Sequence, residues 1–149
     1  MDVLVISIAN PILIGLYKNN KLIKVYEKEG QSSDIIPLIF EEILKEQTLQ
    51  RIFYVNAPGS YMAIKVAYVF LKTLVITQKL ELLASSGFHF NQNSPIKALG
   101  KKYFMLQNGE IIVDFIEQDR EIKPFCLPQI LDETIFSNEN LPEYNLPAV

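Results

Sequence analysis

One cysteine, one histidine and no sustained basic run close off several kinds of chemistry at the outset. With Cys126 alone, no intrachain disulfide can form and no cysteine-based metal site is available. A lone cysteine of this kind reads as a small core hydrophobe. His89, between Phe88 and Phe90, has no Cys partner for zinc and reads as a packed or surface histidine. The 14 basic residues are outnumbered by 17 acidic ones, giving a net charge of -3 and a pI near 5.2. The longest basic run is Lys101-Lys102, whereas unaided nucleic-acid binding needs clustered Lys and Arg to displace counterions. The longest apolar run, residues 66–76, is interrupted by Lys72 and is too short to span a bilayer. The start MDVLVISIAN has no basic leader and no small-residue cleavage pattern, so a cytoplasmic location with no membrane contact is expected. Neither a dinucleotide fingerprint nor a Walker loop is present.

What remains is an ordinary globular composition: 149 residues, 49% hydrophobic and 21% charged, enough for one domain with a real core. Residues 3–9 are almost wholly apolar, which suits a central strand covered on both faces. Asn10-Pro11 breaks the chain, and residues 12–17 read as a second strand. Asn19-Asn20 tolerates positive φ and turns the chain into an alternating third strand, residues 22–27. Ser33 or Asp34 can then cap a helix in which Pro37 sits in the first turn. Ile35, Ile39 and Ile43 share one face of it, and Glu41, Glu42, Lys45 and Glu46 the wet one. Residues 51–56 make a fourth strand running into Ala57-Pro58-Gly59-Ser60, residues 61–77 a long helix, and residues 80–84 a fifth strand. The order β-β-β-α-β-α-β is that of a ribonuclease H-like, actin-like half-domain of the α/β class with a mixed sheet. Residues 96–99 are a candidate strand. Residues 103–107 and 110–115 flank Asn108-Gly109 as a hairpin, and beyond Pro124 a Pro- and Asn-rich segment packs as an irregular tail. The division is thus a domain over 1–90 and a C-terminal extension over 91–149.

The 61–77 helix carries more apolar surface than one sheet face can cover. Met62, Ile64, Val66, Val69, Phe70, Leu71, Leu74, Val75 and Ile76 point around most of its circumference. Only Lys65, Lys72, Thr73 and the hydroxyls of Tyr61 and Tyr68 make a polar seam. Leaving three or four large side chains in water forgoes about 1.5–3 kcal/mol each, against a domain stability of roughly 5–15 kcal/mol. Either the first helix and the tail cover the second face, or another subunit does.

Catalytic arrangements are not supported. A nuclease of the ribonuclease H type needs carboxylates converging on two metals, and the first strand offers only Asp2. Ser60 stands at a strand-to-helix turn but lacks the G-x-S-x-G spacing of a nucleophile elbow, and helix capping is the preferred role.

The strand–turn–helix segment Ala57-Pro58-Gly59-Ser60-Tyr61-Met62-Ala63-Ile64-Lys65-Val66-Ala67 resembles the G-P-G-S-F-T-G-[LV]-R-I-G motif of the TsaB (YeaZ) family. The helix from Ser33-Asp34-Ile35-Ile36-Pro37-Leu38 onward is similar to the family's H-S-x-x-L-L-P-L-I-x-x-L-L. Pro142-Glu143-Tyr144 is similar to its terminal P-x-Y-L-R, with Asn145 and Leu146 following instead. The resemblance covers residues 1–90 well and the rest loosely, in a shortened form with an altered motif. It departs at Ser7, where ATP-using relatives carry an acid that organises metal and phosphate, and at Ala57, Met62 and Ala63, which add bulk where a backbone would approach phosphate.

The resemblance implies a non-catalytic accessory subunit with no cofactor, no metal and no catalytic residue. Its partner would be TsaD, which transfers threonylcarbamoyl to tRNA adenosine beside the anticodon, with the ATPase TsaE joining a larger complex and tRNA met only indirectly. The family turn would be Pro58, Gly59, Ser60, Tyr61 and Lys65. The partner surface would be a helical bundle using Met62, Lys65, Val66, Val69, Phe70, Thr73, Ile39 and Ile43, which a homodimer could also use. Lys65, where the family has Arg, would act as a point charge. The competing reading is a stand-alone homodimeric actin-like domain with nucleotide-binding or hydrolase activity.

Overall fold

The computed structural model describes residues 1–144. Five strands form the main sheet: β1 (Asp2–Ile6), β2 (Ile12–Lys18), β3 (Lys21–Lys28), β4 (Arg51–Ala57) and β5 (Glu81–Ser86). Their order is β3-β2-β1-β4-β5. The first three strands pair antiparallel; β4 and β5 then add in parallel to β1. Two helices supply the crossovers, α1 (Ser32–Glu46) and α2 (Tyr61–Gln78). Parallel neighbours need such a connection, since no short turn can bring the chain back to the same end of the sheet.

Asn19 and Asn20 turn β2 into β3 with φ of 50° and 63°, the left-handed conformation expected of that pair. The first strand is shorter than residues 3–9, because the chain leaves the sheet ahead of Asn10-Pro11. α1 starts two residues earlier than a Ser33 cap implies and three earlier than an Asp34 cap. Gln31 is the N-cap, it makes no side-chain cap, and Ser33 and Asp34 lie inside the first turn.

Both faces of the sheet are buried, and by different means. Val3, Val5, Ile14 and Ile52 face the helices, meeting Ile36, Phe40, Ala67 and Leu71. On the other face Leu4, Ile6, Tyr17 and Phe53 meet no long helix. They are covered by Phe90 of the 3-10 turn Gly87–Phe90 and by a tail supplying Phe125, Leu127, Leu131, Ile135 and Phe136. The tail was expected to be irregular, and it is. It is held to the sheet by hydrogen bonds that mostly use main-chain atoms. Tyr17 donates to the Pro128 carbonyl at 2.7 Å, Leu22 to Gln129 at 2.9 Å, and Leu131 to Asn20 at 2.8 Å. Ala84 and Ser137 exchange a pair of bonds at 2.9 Å each, and Asn56 donates to Leu141 at 2.9 Å.

Cys126 corrects the expectation of a core thiol: it is exposed. The tail is extended there, and alternation turns Phe125 and Leu127 inward and the residue between them outward. Residues 91–144 also hold a small sheet of β6 (Ile96–Lys97), β7 (Lys102–Gln107) and β8 (Glu110–Phe115), in that order. Asn108-Gly109 makes the hairpin turn, with φ of 51° and 79°. Phe88, Ile96 and Phe104 form its core. The expected strand at 96–99 contracts to two residues, and Asn145 and Leu146 lie outside the described residues.

Candidate interaction surface

The strand–turn–helix unit is built by close packing. β4 ends at Ala57, Pro58 and Gly59 are buried, and Ser60 is exposed. A Cβ on Gly59 would lie 3.0 Å from Ile8 Cγ2 and 3.2 Å from its Cβ, so the approach of this turn to the end of β1 demands glycine. Ser60 caps α2: its Oγ accepts from the Ala63 amide at 3.2 Å, and its carbonyl accepts from Ile64 at 3.2 Å. The preferred role for Ser60 is thus the one observed.

α2 buries Ile64, Ala67, Leu71 and Val75 against the sheet. α1 packs along its flank, where Phe40 and Phe70 meet edge to face with centroids 5.8 Å apart. Among the described residues, the tail does not reach over α2 except where Tyr144 lies on Tyr61 with centroids 4.5 Å apart; its buried apolar side chains go to the opposite face of the sheet. The outer side of α2 therefore has no cover among the described residues. Met62 is 59% exposed, Val69 53% and Ile76 66%, and Leu38 of α1 is exposed too. Positions 62, 69 and 76 are seven apart, with half-buried Val66 and exposed Thr73 between them. That spacing, averaging 3.5 residues, is the one that keeps side chains on a single stripe of a helix. By its length of 18 residues and its composition α2 also resembles a membrane span, yet one face of it is a wall of the core.

The expected surface residues fall into three groups. Met62, Lys65, Val69 and Thr73 are exposed, and Val66 and Phe70 are partly buried. Ile39 and Ile43 are corrected: at 5% and 1% exposure they belong to the chain's own core, because α1 turns that face to the sheet. Ile76 and Leu38 take their place on the open side. The seven-residue spacing from Met62 was the signal that could have found Ile76. Lys65 sits with Nζ 5.5 Å from the Tyr61 ring centroid, a cation over an aromatic face. The Thr73 hydroxyl donates to the Val69 carbonyl at 2.8 Å, so it adds little polarity to the row.

Ionisable groups are sparse here. Burial pushes the Tyr54 phenol, under α2, well above the usual tyrosine range, and its hydroxyl donates to the Asn140 carbonyl. Among the described residues, no group of three or more His, Cys, Asp or Glu side chains is placed to hold a metal ion. Ser7 is buried just past the end of β1.

No protein-family model matches the sequence, and no curated protein matches it. Solved structures do match by fold. YeaZ from Pseudomonas aeruginosa superposes with a TM-score of 0.58 at 12% identity, over 85% of this chain and 71% of that one. An uncharacterized protein with similarity to peptidase YEAZ from Pseudomonas aeruginosa gives 0.53 at 12% identity, over 84% and 70%. With the strand order seen here, these matches identify the architecture as the ribonuclease H-like, actin-like fold of the YeaZ structures.

Proposed function

We propose that the chain is a non-catalytic, TsaB-like partner subunit acting in the cytoplasm, and that it supports a TsaD-type enzyme in threonylcarbamoyl transfer to tRNA adenosine. The observation that carries the reading is the open row Met62, Val69 and Ile76 on a helix whose other face is committed to the core. The YeaZ fold and the Pro58-Gly59-Ser60 turn at the start of that helix support it. Covering the row with a partner helix would gain on the order of a few kcal/mol from these three side chains. The positions that crowd the turn, and the Ser7 hydroxyl in place of an acid, favour a supporting subunit over a nucleotide hydrolase.

The test is association with the cognate TsaD, measured by co-purification and light scattering. Val69→Asp and Ile76→Asp should each abolish the complex while leaving the circular dichroism spectrum unchanged, since both side chains are in water. Loss of modified nucleoside in a TsaB-deficient strain, restored by the wild-type chain and not by Val69→Asp, would extend the reading to the cell. A wild-type chain that ignores TsaD, or a complex indifferent to both substitutions, would overturn it. A dimer of the chain alone that the same substitutions dissolve would place a second copy on this face instead.

A further inference from the structure

β5 is an outer strand of the main sheet, and the tail wraps around it. Ile135 and Phe136 pack on one face of the sheet, Ser137 pairs with Ala84 at the edge, and the chain then passes to the helix face. There the Tyr54 hydroxyl donates to the Asn140 carbonyl and the Glu143 amide to the Asn56 carbonyl at 3.2 Å. Between this arch and the end of β5 lies a pocket of about 220 Å³.

Ser85 is the observation that asks for a ligand. Leu83 packs on the tail-covered face of the sheet, and alternation brings Ser85 to the same face two residues later. Ser85 is 6% exposed and lines the pocket, and its Oγ is sealed with no hydrogen-bond partner among the described residues. A buried hydroxyl left without a partner costs stability, and native structures keep few of them.

The rest of the lining sets the sign of that ligand. Glu139 and Glu143 are both exposed and both line the pocket, and among the described residues no Lys, Arg or His does. Asn56, 5% exposed, commits its Nδ2 to the Leu141 carbonyl at 2.9 Å, so the other end of its amide is an acceptor. The Ser137 Oγ accepts from the Glu139 amide at 3.1 Å and fixes the backbone that carries the first carboxylate. Acceptors and negative charge therefore gather around one small space. A divalent metal takes roughly six to eight oxygens, more than two carboxylates on exposed side chains offer, whereas an ammonium asks for only three acceptors.

We propose that this pocket binds a primary alkylammonium group, free or at the end of a lysine side chain. The Ser85 hydroxyl and the Asn56 carbonyl accept its protons, Glu139 and Glu143 balance its charge, and Ile111 and Ile135 receive the alkyl stem. None of the lining residues belongs to α2, so the site stands whether or not Val69 and Ile76 bind a partner.

The test is titration of the 15N-labelled full chain with n-butylammonium chloride at constant ionic strength, following backbone amide shifts. Saturable shifts at Ser85, Ser137 and Glu139 are expected, and none with tetramethylammonium chloride, which has the charge but no N–H donor. Ser85→Ala should weaken binding about tenfold, the factor for one hydrogen bond to a charged group. The double variant Glu139→Gln with Glu143→Gln, both at exposed positions, should weaken it further without disturbing the core. Putrescine and Nα-acetyl-lysine amide form two further arms, and binding of either as tightly as n-butylammonium supports the proposal and names the source. Absence of saturable shifts with n-butylammonium overturns it, as does an equal response to tetramethylammonium or unchanged affinity in both variants. Displacement of n-butylammonium by calcium chloride at equal concentration would assign the pocket to a metal ion and overturn it too.

Discussion

The Arg51 guanidinium donates to the Asp2 carboxylate at 2.7 Å and, through its other terminal nitrogen, to Glu133. One side chain at the start of β4 therefore ties the start of β1 to the tail. Its bond to Asp2 leads the interactions that keep the guanidinium protonated, with Glu133 adding to it. The second Asp2 oxygen is sealed without a partner among the described residues, so the arginine answers for a buried carboxylate.

The tail anchor has a pH signature. The Arg51 hydrogen bond, reinforced by Asn20, holds the Glu133 carboxyl below its usual value, and Thr134 does the same for Asp132. A carboxyl with a depressed folded-state pKa contributes stability above its unfolded value, roughly 4 for Asp and Glu, which is lost as pH falls through the folded value. Both groups are in water, so screening keeps the effect small. Urea melts across that acid range should show Glu133→Gln less stable than wild type at neutral pH and the difference vanishing in acid. A constant difference at all pH values would remove Glu133 from the anchor.

Leu131 measures what the tail contributes. It is buried against the second face of the sheet, so Leu131→Ala should cost about 2–4 kcal/mol in equilibrium unfolding. A cost below 1 kcal/mol, on the order of a surface substitution, would mean that the tail lies on the sheet without stabilising it.

Gly59→Ala tests the close approach at the turn. The added methyl would press on the Ile8 side chain, and a loss of about 1–3 kcal/mol is expected from such overpacking. Ile8→Ala removes the opposing atoms, so the double variant should lose less than the sum of the two single changes, measured in a double-mutant cycle.

Val69 and Ile43 separate the outer face of α2 from the core side of α1. Val69→Asp should leave the melting temperature nearly unchanged, whereas Ile43→Ala should cost about 2–4 kcal/mol. Thermal melts of the two variants alone, without any partner, decide the assignment.

Most of the sheet and both helices were legible because their chemistry is local. Apolar runs, the Asn19-Asn20 and Asn108-Gly109 turns and the Ser60 cap each fix a boundary from a few neighbouring residues. Ile39 and Ile43 were misplaced by the resemblance, which put them at a partner surface, whereas the split of α1 into an apolar and a charged face already turned them toward the sheet. The path of residues 124–144 was invisible for a different reason. It lacks both helical and strand periodicity, and its partners lie roughly a hundred positions away in the chain, as Tyr17 and Pro128 do. Cys126 was misread on the same account, because its neighbours were assigned no extended segment whose alternation would turn it outward.

The tail is gripped largely by its peptide groups: Pro128, Asn140 and Leu141 offer only carbonyls to Tyr17, Tyr54 and Asn56. A strap recognised in that way constrains shape far more than spelling. Outside greasy plugs such as Leu131 and the polar ties of Glu133 and Asn140, substitutions along it are nearly invisible to the body of the molecule. Two chains could therefore trace the same ribbon across their sheets while sharing almost no letters, which would leave their kinship readable in coordinates and silent in text.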